Sequence, residues 1–325
     1  MNRWGGQILA AGLMALTACT TAPLPPKTVV VSAPVVRPPA RITAPVAAPA
    51  PIVVAPAPAG NALRTTYARL QRDLLTRGLL RTDGGGPDTP FTDTQLARNF
   101  VRIALFSEYV AEGDLLRARA TAAQLNRWGV PVRMGIEFGA TVPAAQRRTD
   151  TAEVRNYAAR LARVSGHPVS VTNQAPNFHV MFLNENDRRA SETRLRELVP
   201  NIGRASLRAI LSLPRNQLCI VVAFPDPETA LYTKAIAVIR GEHPDLLRKS
   251  CIHEELAQGL GLPNDSPAAR PSIFNDDEEF GLLTTHDELL LRMLYDPRLR
   301  PGMTPQEAAP IARRIATELT GGGAS

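Results

Sequence analysis

The sequence predicts a mixed α/β domain of the α+β kind, and three observations carry that class. Val130, Val132, Met134, Ile136 and Phe138 stand two apart, the period of a half-buried strand. Three short apolar runs, 178–183, 218–224 and 235–239, have the length of buried strands rather than helices. Between and after them lie segments whose apolar residues recur at helical spacing and whose ends carry helix start and stop residues.

In chain order, Leu63, Tyr67, Leu70 and Leu74 place a helix over 61–75, stopped by Gly78 and then Asp83-Gly84-Gly85-Gly86-Pro87. That glycine run lacks the Gly-Lys-Ser/Thr ending and the preceding strand of a phosphate loop, so it is read as a turn. Thr92-x-x-Gln95 is a capping box for a helix through Phe100. An extended pair follows on either side of Glu112-Gly113-Asp114, a hairpin turn. After the strand at 130–138, Asp150-x-x-Glu153 is expected to open a helix carrying Val154, Tyr157, Leu161 and Val164 and ending at Gly166. Residues 185–211 read as helical. Pro244 starts a helix with Leu246, Leu247, Ile252, Leu256 and Leu260 that stops at Gly261. Thr285-x-x-Glu288 is a further capping box in which His286 is expected to face water, and Thr304-Pro305-x-Glu307 opens the last helix.

The start of the chain reads as an address. Arg3 is a basic n-region, 8–16 is a short apolar stretch, and Leu16-Thr17-Ala18-Cys19 resembles the lipobox of bacterial lipoproteins. Residues 1–18 are therefore expected to be a signal peptide, with lipid on Cys19. No later segment is long and apolar enough to span a bilayer, so the membrane partner is reached through the anchor. Thr20 stands where Asp would favour inner-membrane retention, which points to the periplasmic side of the envelope and the outer membrane. Residues 19–59 alternate Pro with Ala and Val, a polyproline-type tether reaching about 3.1 Å per residue. Residues 60–129 form an N-terminal helix and hairpin region and 130–320 the main domain.

Lys and Arg number 37 against 30 Asp and Glu, a net of +7. The arginines are spread over several amphipathic segments and aromatic residues are few, so nucleic acid is not the expected partner. Apart from Cys19 there are Cys219 and Cys251. An oxidising compartment favours a disulfide between them, worth roughly 3 to 4 kcal/mol by loop entropy; the competing reading is a metal shared with His253. His167, His179 and His243 are dispersed, Ser266 and Ser272 have no His at a telling spacing, and Gly-x-Ser-x-Gly is missing, so no nucleophile motif emerges.

The segment Ile252-His253-Glu254-Glu255-Leu256-Ala257-Gln258-Gly259-Leu260-Gly261-Leu262-Pro263-Asn264-Asp265-Ser266 resembles the matrixin branch of the metzincin zinc peptidases, whose motif is H-E-x-x-H-x-x-G-x-x-H. Taking His253 as the first ligand fails, because Ala257 stands four residues on. Shifted by one, Glu254-Glu255-x-x-Gln258-x-x-Gly261-x-x-Asn264 fits without a gap. The resemblance then puts Glu255 at the general base, Gly261 at the turn, and Glu254, Gln258 and Asn264 at the three ligand positions. Ser272-Ile273-Phe274 is similar to the family's Met-turn, and Leu283-Thr284-x-x-Asp287 with Leu294-Tyr295 to its closing helix. The same block resembles a domain-of-unknown-function family of alphaproteobacterial exported proteins with a Glu-Glu-Leu-x-Gln segment.

The resemblance implies a metzincin-like mixed sheet with an active-site-type helix. One carboxylate and two amides are poor zinc ligands, while oxygen donors, including the acidic run 275–279, suit calcium or magnesium better. Zinc or another divalent cation is thus allowed as a cofactor but not expected. The expected function is a degenerate, non-catalytic binding or scaffolding module with an envelope protein or cell-wall partner. The alternative is a metal-dependent peptidase or hydrolase using Glu255 as base, with the metal held by Glu254, His253 or the acidic run.

Overall fold

The computed structural model describes residues 59–321 apart from position 276. The expected signal peptide, Cys19 and all of the expected tether but its last residue lie outside the described residues; that last residue, Ala59, is the first of a helix. Among the described residues, no helix is long and apolar enough to cross a membrane.

The chain enters with α1 (Ala59–Thr76) and α2 (Asp93–Ala104), then forms the antiparallel hairpin β1 (Phe106–Glu112) and β2 (Leu115–Ala122). α2 opens on the Thr92/Gln95 capping box expected from its spacing. The main sheet is built from β3 (Val132–Phe138), β4 (Val169–Val171), β5 (Phe178–Leu183), β6 (Cys219–Pro225) and β7 (Tyr232–Arg240). Their order is β4-β3-β5-β7-β6. The first four in that order run parallel, whereas β6 lies antiparallel to β7 and leaves its other edge unpaired within the sheet. Every residue of β5 is buried, as a central strand covered on both faces requires.

Side-chain alternation divides the core. Phe178, Val180 and Phe182 of β5, with Ala235, Ala237 and Ile239 of β7, face the larger cluster. Into it pack α2, α3 (Ala144–Ser165), α7 (Asp245–Gln258), α8 (Thr285–Leu294) and α9 (Pro305–Leu319). The alternate residues Met181, Leu183, Ile236 and Val238 meet Leu195, Leu198, Leu207 and Ile210 on the opposite face. Those four come from α5 (Glu192–Leu198) and α6 (Arg204–Leu211), which with α4 (Glu185–Arg189) divide the region 185–211 into three short helices. Pro200 and Gly203 interrupt it. At the end of the sheet the buried Glu185 carboxylate accepts from Arg188 at 2.8 Å and from Arg240 at 2.8 Å, with Arg189 on its other oxygen.

Two helix starts differ from their expected positions. α3 begins at Ala144, more than a turn before Asp150, with Pro143 at its N-cap and no capping side chain. Asp150 is instead a buried partner of Arg248, Oδ1 to Nε at 2.7 Å. α8 opens on Thr284/Asp287 rather than Thr285/Glu288. His286 consequently faces inward: it is fully buried, 3.1 Å from Asn99 Nδ2 and edge-on to Phe91. The end of α3 at Gly166, in the left-handed region at φ 70°, and the Thr304/Glu307 box of α9 are as the sequence predicts.

A carboxyl-lined cavity between β6, α7 and the hairpin

α7 runs behind the unpaired edge of the sheet, and a disulfide fixes it there. Cys219 at the start of β6 is bonded to Cys251 on α7, with the Cα atoms 5.9 Å apart. The reading in which Cys219, Cys251 and His253 share a metal is thereby corrected, since neither sulfur is a thiolate. His253 lies on another side of the helix. It stacks on Tyr157 with ring centres 4.0 Å apart, its Nδ1 accepts from the Leu283 amide at 3.0 Å, and its Nε2 is 3.4 Å from Glu153. It is a structural partner rather than a ligand facing the cavity.

In front of α7 opens a cavity of about 620 Å³. Its walls are the edge of β6, the last turn of α7 with Glu254, Glu255 and Gln258, the β1 residues Glu108 and Tyr109, and the loop positions Asp265 and Glu278. Glu255 is 4% exposed, accepts a hydrogen bond from the Val221 amide of β6, and leaves its Oε2 without a partner. Burial pushes the Glu254 and Glu255 carboxyls well above the ordinary range, and the negative charge of Asp265 and Glu108 adds to it at both. The pair therefore favours its neutral form more strongly than exposed carboxyls do.

The register positions separate. Gln258 Nε2 donates to Asp265 Oδ1 at 2.9 Å, so its amide is engaged at the cavity wall. Asn264 is buried and turned away from the cavity, donating to the carbonyls of Arg102 at 2.9 Å and Asp265 at 2.8 Å. Its neighbour Asp265, one residue past the register, is the one that lines the cavity. Gly261, at φ 132°, makes the turn between them; a Cβ there would stand 2.4 Å from the Asn126 carbonyl oxygen. The acidic run is divided as well: Glu278 lines the cavity, whereas Glu279 pairs with Arg270 and Arg81 and Asp277 caps the Glu279 amide.

A zinc ion does not fit this donor set. Among the described residues, the trio with ligand atoms within 4.8 Å of one another is Cys219, Glu254 and Glu255, and the sulfur of Cys219 is spent in the disulfide. Two carboxyls remain, with one amide occupied and another facing elsewhere.

The residues singled out downstream, Ser272, Thr284, Asp287 and Tyr295, belong to the frame around the cavity. Asp287 of α8 accepts from Ser272 Oγ at 2.6 Å, the Ile273 amide at 3.0 Å, and both the amide and hydroxyl of Thr284. Ser272 and Asp287 are thus two halves of one hydrogen-bonded hub, with Phe274 fully buried beside it. Tyr295 donates to the Leu260 carbonyl at 3.0 Å and Trp128 to that of Gly259 at 2.9 Å, holding the end of α7. Sequence reasoning missed Glu108, Tyr109 and Asp265; Asp265 had the signal of adjoining the register, and the other two had none.

A family model described as Protein of unknown function (DUF2927) matches residues 93–314. That span runs from the first turn of α2 into α9 and includes the whole cavity wall named above. No curated protein and no solved structure matches the chain. The chain belongs to the DUF2927 family of proteins of unknown function.

Proposed function

We propose that this chain is a non-catalytic binding module of the cell envelope, carried on a lipid at Cys19, that receives an extended segment of a partner against β6. The observation that carries the reading is the edge of β6 along the cavity, which no strand of the described residues pairs with and whose Val221 amide already donates outward, to Glu255. An open edge offers main-chain groups to an added strand, and pockets beside it select alternate side chains. A second, smaller recess of about 240 Å³ shares Tyr109, Pro214, Gln217 and Ile220 with the first, and supplies such a neighbouring pocket. The ungapped register at 254–264 supports a metzincin-like ancestry in which the binding cleft outlasted the zinc donors. The acidic, engaged or averted side chains at the ligand positions support the non-catalytic half of the proposal.

Hydrogen–deuterium exchange on the full chain, with and without short extended peptides, tests it. Added protection confined to 219–225 and 107–109 is the expected result. Divalent-metal-dependent cleavage of those peptides, abolished by Glu255→Gln, would replace the proposal with the hydrolase alternative.

A further inference from the structure

We infer that the cavity selects a basic side chain, the ammonium or guanidinium group of a lysine or arginine in the bound segment. The inference rests on the binding reading above and names the chemistry of what is bound.

Among the described residues, five that carry carboxyls line the cavity, Glu108, Glu254, Glu255, Asp265 and Glu278, and the described lining contains no Lys, Arg or His. This is the reverse of the chain as a whole, whose net charge is +7. Glu108 comes from the hairpin, Glu254 and Glu255 from α7, and Asp265 and Glu278 from separate loops, so the acidity is assembled by the fold and is not a solvated run. The second observation is the Glu255 side chain, 4% exposed, lining the cavity, and with one oxygen lacking any hydrogen-bond partner. A buried acceptor of that kind costs stability unless something donates to it. Ammonium and guanidinium groups are donor-only and positively charged, which suits an acceptor in an acidic room. Placed there, a cation also relieves the mutual repulsion of the carboxyls.

An inorganic ion is the poorer match. A metal needs its donors wrapped around one point, whereas the only trio within 4.8 Å among the described residues includes a disulfide sulfur. The carboxyls instead border a space of about 620 Å³, large enough for a long side chain entering from a strand at β6. The adjoining recess has Leu115, Ala205, Ala209 and Ile220 on its walls together with Arg208, Ser212 and Gln217, which suits a neighbouring side chain with an apolar body and a polar end.

The test is calorimetric titration of the full chain with Ac-Ala-Ala-Lys-Ala-Ala-NH2 and its norleucine and glutamate counterparts, repeated with calcium chloride alone. The lysine peptide is expected to bind at least about tenfold more tightly than the norleucine peptide, and the glutamate peptide more weakly than either. The preference should collapse in Glu254→Gln/Glu255→Gln. Glu108→Gln on the hairpin provides a separate variant, which should reduce the preference without altering α7. Equal affinity for lysine and norleucine would overturn the cation inference and leave strand binding standing. Failure of every peptide to bind would overturn both, and saturable calcium binding that displaces the lysine peptide without loss in Glu254→Gln/Glu255→Gln would place the cation elsewhere.

Discussion

Removing the Cys219–Cys251 bond by a Cys219→Ala/Cys251→Ala pair probes the strut that holds β6 to α7. The two cysteines are 32 residues apart. Loop-closure entropy for that separation is about 12 cal/mol/K, or roughly 3.7 kcal/mol at 25 °C. Alanine is the right replacement: Cys219 and Cys251 are 7% and 1% exposed, and serine would add the cost of two buried hydroxyls. With a urea m-value of about 3 kcal/mol/M, the unfolding midpoint of the double variant should fall by a little over 1 M. β6 retains its antiparallel ladder with β7, from Cys219 opposite Ile239 to Pro225 opposite Tyr232, so the sheet itself should survive. Circular dichroism across a urea series, on the oxidised chain and the double variant, measures the difference. An unchanged midpoint would refute the strut; loss of native secondary structure without denaturant would instead refute the expectation that the β6–β7 ladder and the core clusters hold without it.

Three other outcomes are expected. Asp287→Ala leaves the Ser272 hydroxyl and the Ile273 and Thr284 amides without their buried acceptor, while the Thr284 hydroxyl keeps the Pro271 carbonyl at 2.9 Å, and should cost about 3 to 5 kcal/mol in thermal or urea unfolding, against about 1 to 2 for Ser272→Ala; equal losses would disprove the hub. Gly261→Ala meets both the strained φ of 132° and the Asn126 carbonyl, and should lower stability by at least about 2 kcal/mol, read from the same urea series. Burial pushes the Glu185 carboxyl up, but its bonds to Arg188, Arg189 and Arg240 outweigh that and hold it at about 2. Its folded value thus lies below its unfolded one, so its contribution of at most about 3 kcal/mol is complete above pH 4.5 and is lost as pH falls towards 2. In Glu185→Gln that part of the acid slope should vanish.

β5 and β7 were readable as short apolar runs because their alternate residues serve two different core clusters, and both sets had to be apolar. β4 escaped notice because it has only three residues and pairs with β3 alone. The start of α3 was hidden by a first turn without a capping side chain, while Asp150 mimicked a cap and in fact answers Arg248. At α8 two capping boxes overlap by one residue, and the choice between them is made by Ser272 and Ile273, contacts that no local pattern contains. The site divided in the same way. Glu254, Glu255 and Gln258 are neighbours on one helix and could be found along the chain. Glu108 and Tyr109 arrive on a hairpin far upstream, and Asp265 displaces Asn264 from the cavity through a turn whose course depends on Asn126 and Arg102.

That displacement bears on any attempt to install a zinc centre in this domain. Writing three histidines at 254, 258 and 264 would recreate the peptidase motif on paper. The third imidazole, however, would start from a backbone position whose side chain points at the Arg102 carbonyl, and it would be larger than the amide now enclosed there. The loop beyond Gly261 would have to be rebuilt first, or the third histidine set at 265, where the side chain already reaches the cavity. A donor set written at 254, 258 and 264 would therefore leave its third member averted, whatever side chain stood there.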